Sequence, residues 1–312
     1  MTTVLKICRT ISSLIRVLNI YKKPGKTIGF VPTMGAIHKG HMSLIHQSTK
    51  KHNYTVCSIY INPRQFNNKT DFINYPKQEE SDINKLKQTK CNIVFIPSSQ
   101  EMYPDHDDDR YTMDKREEER IENFTKNHSV FCQLEGEKRP GHLVGMMIIV
   151  HKLFQLVEPN TAYFGEKDYQ QLWIIRLYKK TFPDSPTITG VDTVRENNGL
   201  ALSSRNKHLN SNQIKVATKL FKALNEFVKK INIYFTHSKD VKIYKKTIDH
   251  IKEEVLRNIL KDPLIKLDYF ELINVENFNF VEKIDCNKKY RVLIAAYVGE
   301  IRLIDNTGLE LC

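Results

Sequence analysis

Two hydrophobic periodicities alternate through the first 190 residues. Between residues 10 and 22, Ile11, Leu14, Ile15 and Leu18 recur at helical spacing, which predicts an amphipathic helix ending before Pro24-Gly25. An apolar, β-branched run over 27–31 reads as a strand, and residues 42–51 follow with apolar positions that do not alternate. Residues 54–61 read as a second strand, 78–88 as a helix and 92–96 as a third strand. Together these make a βαβαβ half with right-handed crossovers. Residues 105–127 interleave Asp and Glu runs with Arg and Lys, and read as a solvated surface insertion, part helix. Beyond it, 134–142 reads as a loop, 151–157 as an apolar helical segment, 162–164 as a short strand, 169–180 as a helix and 187–191 as a last strand. The pattern leaves the order of the strands open.

The pattern changes near Gly190. A turn at Asn197-Asn198-Gly199 is followed by two helical stretches, 211–231 and 241–260, and by strands at 267–274, 291–298 and 300–304. Helices first and strands last predict a small α+β unit. The expected division is therefore an α/β, parallel-sheet domain over 1–189 and a smaller α+β domain over 190–312.

Composition narrows the setting. The 312 residues are 40% hydrophobic and 27% charged, which is ordinary for a soluble globular chain. No apolar run approaches the ~20 residues a membrane span needs, and the N-terminus has no signal-like apolar core. The six cysteines are scattered without a Cys-x-x-Cys pair, which reads as reduced thiols in a cytoplasmic protein. The formal charge of +12 suits nucleic acid or a polyanionic small molecule. Basic residues that are spread rather than clustered favour the small molecule, so neither nucleic acid nor membrane is expected as a partner.

The chemistry gathers at the first strand–loop–helix junction, residues 31–45. In open α/β sheets such junctions bind ligands. Gly35 and Gly40 allow close backbone approach, and a helix starting near Gly40 aims free N–H groups at whatever sits there. His38 and His41 span the first turn and can reach one anion; a phosphate chain fits better than a metal, for which no third ligand stands nearby. Gly25-Lys26-Thr27 resembles half a phosphate loop but precedes its strand, and is set aside. Four loops, 34–41, 62–66, 165–168 and 202–205, fall at strand ends or at the domain junction. They hold two His, Lys167, Arg205, the hydroxyls of Ser203 and Ser204, and the amides of Asn62 and Gln65. No Gly-x-Ser-x-Gly elbow and no cysteine signature accompanies them. Such a set suits group transfer from a nucleoside triphosphate, where positioning and charge neutralisation carry the catalysis.

His38-Lys39-Gly40-His41 resembles the HxGH signature of the class I nucleotidyltransferase superfamily. More narrowly, 31–41, 62–66, Tyr75-Pro76, 139–142, 163–172 and 199–206 resemble, in order, segments of the pantothenate synthetase (pantoate–β-alanine ligase) family. The resemblance covers the N-terminal two-thirds and no motif of the last third. It implies a Rossmann-like first domain with the second acting as a lid, and ATP-dependent ligation of pantoate and β-alanine to pantothenate through a pantoyl-adenylate, releasing AMP and pyrophosphate. By the same resemblance His38, His41, Lys167 and Arg205 are catalytic. Met34, Gly35, His38, Gly40, His41, Gly165, Lys167, Asp168, Val194, Leu202, Ser203, Ser204 and Arg205 hold ATP. Gln65, Gln171, Met34 and Arg139 hold pantoate. Mg²⁺ is expected on the ATP phosphates rather than in a protein metal site, and a homodimer is expected. Two departures stand out: the segment from Pro104 to Arg139 is longer and more charged than the family's, and Leu143 follows His142 where an aromatic is common. The competing readings are an adenylyltransferase with an anionic acceptor, which amides at Gln65 and Gln171 argue against, and a basic nucleic-acid-binding protein, for which no clustered surface is evident.

Overall fold

Strands β1 (Lys6–Cys8), β2 (Ile28–Thr33), β3 (Tyr54–Ile59), β4 (Ile93–Phe95), β5 (Thr161–Gly165) and β6 (Thr187–Val191) form the first sheet. Its central members are apolar on both faces, as a parallel sheet covered by helices requires. In the computed structural model, which describes residues 4–103, 115–237 and 242–311, the six strands run parallel in the order β1-β4-β3-β2-β5-β6. The helices around and between them are α1 (Ile11–Tyr21), α2 (Lys39–Lys51), α3 (Lys69–Ile73), α4 (Glu79–Lys87), α5 (Ser99–Met102), α6 (Lys115–Lys126), α7 (Glu135–Lys138), α8 (His142–Val157) and α9 (Tyr169–Thr181). This is the expected α/β architecture, and its core under α2 and α4 joins Val31, Ile45, Cys57, Leu86 and Tyr163.

Strand order reverses between β2 and β5, so their carboxyl ends are the switch point of the sheet. The ladder between them stops at Phe30–Ala162. Pro32, two residues on, lacks the N–H that a continuing ladder would use, and β2 keeps pairing only with β3 there. The strands thus part where the His38–His41 loop begins.

Several expectations shift. The loop over 134–142 contains the single turn α7, and α8 starts at His142 rather than His151. Of the expected insertion over 105–127, residues 105–114 lie outside the described residues, and α6 occupies 115–126. The three-residue edge strand β1 is too short to carry a period of its own.

The second unit has an antiparallel sheet of β8 (Ile265–Asn274), β10 (Tyr290–Val298) and β11 (Ile301–Leu309) in the order β11-β10-β8, after the short pair β7 (Lys242–Tyr244) and β9 (Lys283–Asp285). Helices α10 (Ser211–His237) and α11 (Lys245–Ile259) pack on it, with Phe227 and Phe270 edge to face at 5.3 Å. α10 outruns its expected end, β7 takes the start of what read as the second helix, and β11 runs through Leu309 rather than stopping at Ile304. By internal contact the chain parts into Met1–Glu166 with Gln170–Asp192, and Lys167–Tyr169 with Thr193–Cys312. No described helix is long and apolar enough to cross a membrane.

Candidate active site

The loop after β2 turns through two left-handed residues, Gly35 (φ 80°) and Ala36 (φ 49°). Thr33 fixes the turn: its Oγ1 donates to the Ser58 carbonyl at 2.7 Å and accepts the Gly35 N–H at 3.1 Å. A Cβ at Gly35 would sit 3.1 Å from Asp82 Oδ2 and from Ile59, so glycine is needed for space as well as for φ. His38 then caps α2 in extended conformation, its Nδ1 accepting the Gly40 N–H at 3.1 Å. The His41 ring answers, its Nδ1 accepting the His38 N–H at 3.4 Å, which completes a capping box made of two imidazoles. The rings stack at 4.1 Å. An Nδ1 that accepts carries no proton, so in each neutral ring the proton resides on Nε2, and both histidines become Nε2–H donors.

Gln65 lies at the end of the turn after β3, Pro63–Gln65, with its backbone tightly held. His142 Nδ1 donates to the Gln65 carbonyl at 2.6 Å; its Nε2 therefore accepts from Arg139 Nη1 at 2.9 Å, and Arg139 approaches the buried Glu135 carboxylate at 3.6 Å. Asn62 Nδ2 donates to the Gly145 carbonyl at 3.0 Å, and a Cβ at Gly145 would fall 2.0 Å from the Arg64 carbonyl, so α8 packs directly on this backbone. The buried Gln65 carboxamide itself makes no hydrogen bond to the described residues. On α9, Gln170 is consumed by the chain, bridging the Val130 and Gln133 carbonyls and the Glu135 N–H, whereas Gln171 has no such bond among the described residues. Behind the turn, burial pushes the Lys152 amine down to about 8 and the Tyr60 hydroxyl up to about 12.

In the second unit Lys167, Ser203, Arg205, Asn206 and Asp305 line one small pocket. Ser203 Oγ accepts the Arg205 N–H at 3.3 Å and so caps the 3-10 turn Ser204–His208, while Leu202 N–H bonds the Val194 carbonyl. The scaffold comes from β11. Asp305 takes the Arg195 guanidinium in a fork at 2.6 and 2.8 Å, with Arg195 stacked 3.4 Å over Phe221. Asn306 donates to the Lys167 carbonyl at 2.9 Å and accepts from Arg291 at 2.7 Å. The Lys167 ammonium stands 3.6 Å from the half-exposed Asp168.

The site residues expected from the sequence thus fall into two described groups: Met34–His41 with Gln65, Arg139, Gly165 and Gln171 in the first unit, and Lys167, Asp168, Val194 and Leu202–Arg205 in the second. Sequence reasoning missed Asp82, His142, Gly145, Arg195, Asp305 and Asn306. Arg195 and Asp305 are 110 residues apart, beyond any local pattern, and Asp82 reads as an ordinary acidic residue in the first turn of a helix. No three His, Cys, Asp or Glu side chains among the described residues stand together as a metal site would require.

A family model described as pantoate-beta-alanine ligase matches residues 6–308. A pantothenate synthetase of Thermosipho africanus is 39% identical over 90% of this chain and 91% of its own length. One of Azobacteroides pseudotrichonymphae is 38% identical over 97% and 99%. Among solved structures, the pantothenate synthetase of Thermus thermophilus superposes with a TM-score of 0.81 at 31% identity, covering 98% of this chain and 99% of that one. The pantoate-beta-alanine ligase of Francisella tularensis, solved with beta-gamma ATP and beta-alanine, superposes at 0.74 with 33% identity over 97% of each.

Proposed function

The chain belongs to the pantoate–β-alanine ligase family and makes pantothenate from pantoate, β-alanine and ATP; we propose that it does so through a pantoyl-adenylate. The observation that carries the reading is the imidazole capping box, which makes His38 and His41 a pair of Nε2–H donors at a helix N-terminus. Attack of the pantoate carboxylate on the α-phosphorus of ATP piles charge onto the phosphates. Two imidazole donors, the dipole of α2, Lys167 and Arg205 oppose that charge. Met34, Gly35, Gly40, Gly165, Val194, Leu202, Ser203 and Ser204 line the nucleotide, and Asp168 accepts from a ribose hydroxyl. Mg²⁺ enters on the phosphates as part of the substrate.

Gln65 and Gln171, with Met34 alongside, read pantoate, since an amide both donates and accepts and so suits a hydroxy acid. Arg139, locked on Glu135 and His142, stands behind Gln65. The β-alanine amine then attacks the mixed anhydride, the acyl–oxygen bond to phosphate breaks, and AMP leaves. No enzyme nucleophile is needed.

ATP–pyrophosphate exchange tests the reading. Exchange is expected with pantoate and not with sugar-phosphate or nucleotide acceptors, and AMP should form only when pantoate is present. Exchange without pantoate, or equal exchange with an anionic acceptor, would move the chain to another adenylylating activity. We further propose a cytoplasmic homodimer, as the family resemblance implies; sedimentation as a monomer at micromolar concentration would refute the assembly.

A further inference from the structure

The side chains that aim the histidine loop lie outside it, on α4. Asp82, in the first turn of that helix and 1% exposed, accepts the Ile37 N–H through Oδ1 at 2.7 Å. Lys85, one turn on, donates Nζ to the Ile37 carbonyl at 2.6 Å and stands 3.8 Å from Asp82 Oδ1. One helix face thus grips both polar groups of the residue just before the His38 cap. Asp82 Oδ2 has no hydrogen-bond partner among the described residues and closes over the left-handed turn, 3.1 Å from where a Gly35 Cβ would be. Burying a carboxylate with one oxygen unpartnered is unfavourable, and a site needing only packing is better filled by an apolar side chain, as at the neighbouring buried Ile83 and Leu86. What the charged pair does that an apolar pair cannot is orient the Ile37 peptide.

We propose that Asp82 and Lys85 are positioning residues for the adenylation step. By fixing Ile37 they set the direction of the His38 N–H toward His41 Nδ1 and the cap of His38 on Gly40, and so hold both imidazoles as Nε2–H donors. The proposal rests on the role given to His38 and His41 above.

The test is steady-state pantoate-dependent ATP–pyrophosphate exchange on the full chain. Asp82→Ala is expected to lower kcat by about 30- to 100-fold with KM for ATP and for pantoate within about threefold, because a small misplacement of donors acts on the transition state. Asp82→Asn keeps an acceptor for the Ile37 N–H and should recover most of that loss. Lys85→Met is expected to lower kcat by roughly three- to tenfold, again with KM unmoved, and Lys85→Arg to restore it. Lys85 is about one-third exposed, so its variants fold even if Asp82→Ala does not. Imidazole ¹⁵N shifts, assigned with His38→Asn and His41→Asn, should report the Nε2–H tautomer in the wild type and tautomer averaging in the Asp82→Ala or Lys85→Met chain. Equal rates for the Asn and Ala variants, a loss carried by KM, a loss matched by the unfolded fraction, or Lys85→Met indistinguishable from wild type would each overturn it. An inactive wild type, or an unimpaired His41→Ala, would instead sink the reading of the histidines. A normal wild type and a crippled His41→Ala beside an undiminished Asp82→Ala would sink the positioning role alone.

Discussion

The His38–His41 loop and the Ser203–Arg205 loop are both proposed to present donors to an anion, but they divide the labour in opposite ways. In the first, the side chains proposed to meet phosphate are the cap of α2; each imidazole spends Nδ1 on the backbone. In the second, scaffold and ligand side chains are separate. Ser203 caps the turn, Arg195 with Asp305 and Arg291 with Asn306 brace it, and the Lys167 ammonium has Asp168 as its carboxylate neighbour. The lesson is that residue type alone does not tell a cation proposed to meet substrate from a structural one. Arg195 and Lys167 are both cations in one unit, and only their partners distinguish them.

Breaking the scaffold of the second loop should give the largest effect. Asp305→Ala leaves the Arg195 guanidinium, which is 18% exposed, without its carboxylate, and removal of one partner from such a buried pair costs about 3–5 kcal/mol. The urea midpoint of the chain should fall accordingly. A variant with unchanged stability but crippled exchange would show that Arg195 meets substrate, and the division of labour would fail.

Lys167→Ala should do the reverse. It removes a group proposed to face charge that develops in the transition state, so exchange is expected to slow by about 10²–10³-fold, roughly 3–4 kcal/mol, while unfolding moves less than in Asp305→Ala, because the half-exposed Asp168 left behind stays in water. His41→Ala should slow exchange as much and in addition lose helix-cap stability of about 1 kcal/mol. Side-by-side melts of the two variants decide the contrast; identical stability losses would erase it.

Much of this was legible from the chain. The apolar runs at 27–31 and 54–61 pointed to strands of an α/β sheet, and the two glycines and two histidines after the first of them pointed to a helix start, which α2 supplies. What stayed hidden was whatever depends on pairing across long separations. β11 read as a short strand because Asp305-Asn306 interrupts its apolar run, yet both side chains are buried against Arg195, Arg291 and the Lys167 carbonyl. α8 read as starting late because His142 and Gly145 look like loop residues; one is a ring bonding the Gln65 carbonyl, the other a gap that admits the Arg64 backbone. The HxGH pattern showed two histidines, but the tautomer they share comes from the capping geometry.

The smallest expected effect concerns Gln65, where the first unit follows the rule of the second: the Asn62 carbonyl and His142 hold the Gln65 backbone, and the amide is the part proposed to read pantoate. Gln65→Ala should cost pantoate its hydrogen bonds there, roughly 1–3 kcal/mol each when the partner stays buried. Gln65→Glu keeps the shape but sets a carboxylate against the pantoate carboxylate, adding like-charge repulsion to the lost donor. At neutral pH pantoate should therefore bind more weakly to the Glu variant than to the Ala variant, with ATP affinity nearly unchanged in both. Raising the acidity should narrow the gap, since protonating the introduced carboxyl removes the charge and restores a donor. Calorimetry of each ligand against each variant at two pH values measures all of this. Equal losses of ATP and pantoate affinity would mean that Gln65 shapes the turn rather than reading the substrate. The amide would then belong with Asn62 and His142 as scaffold, and the separation of roles would hold in the second unit alone.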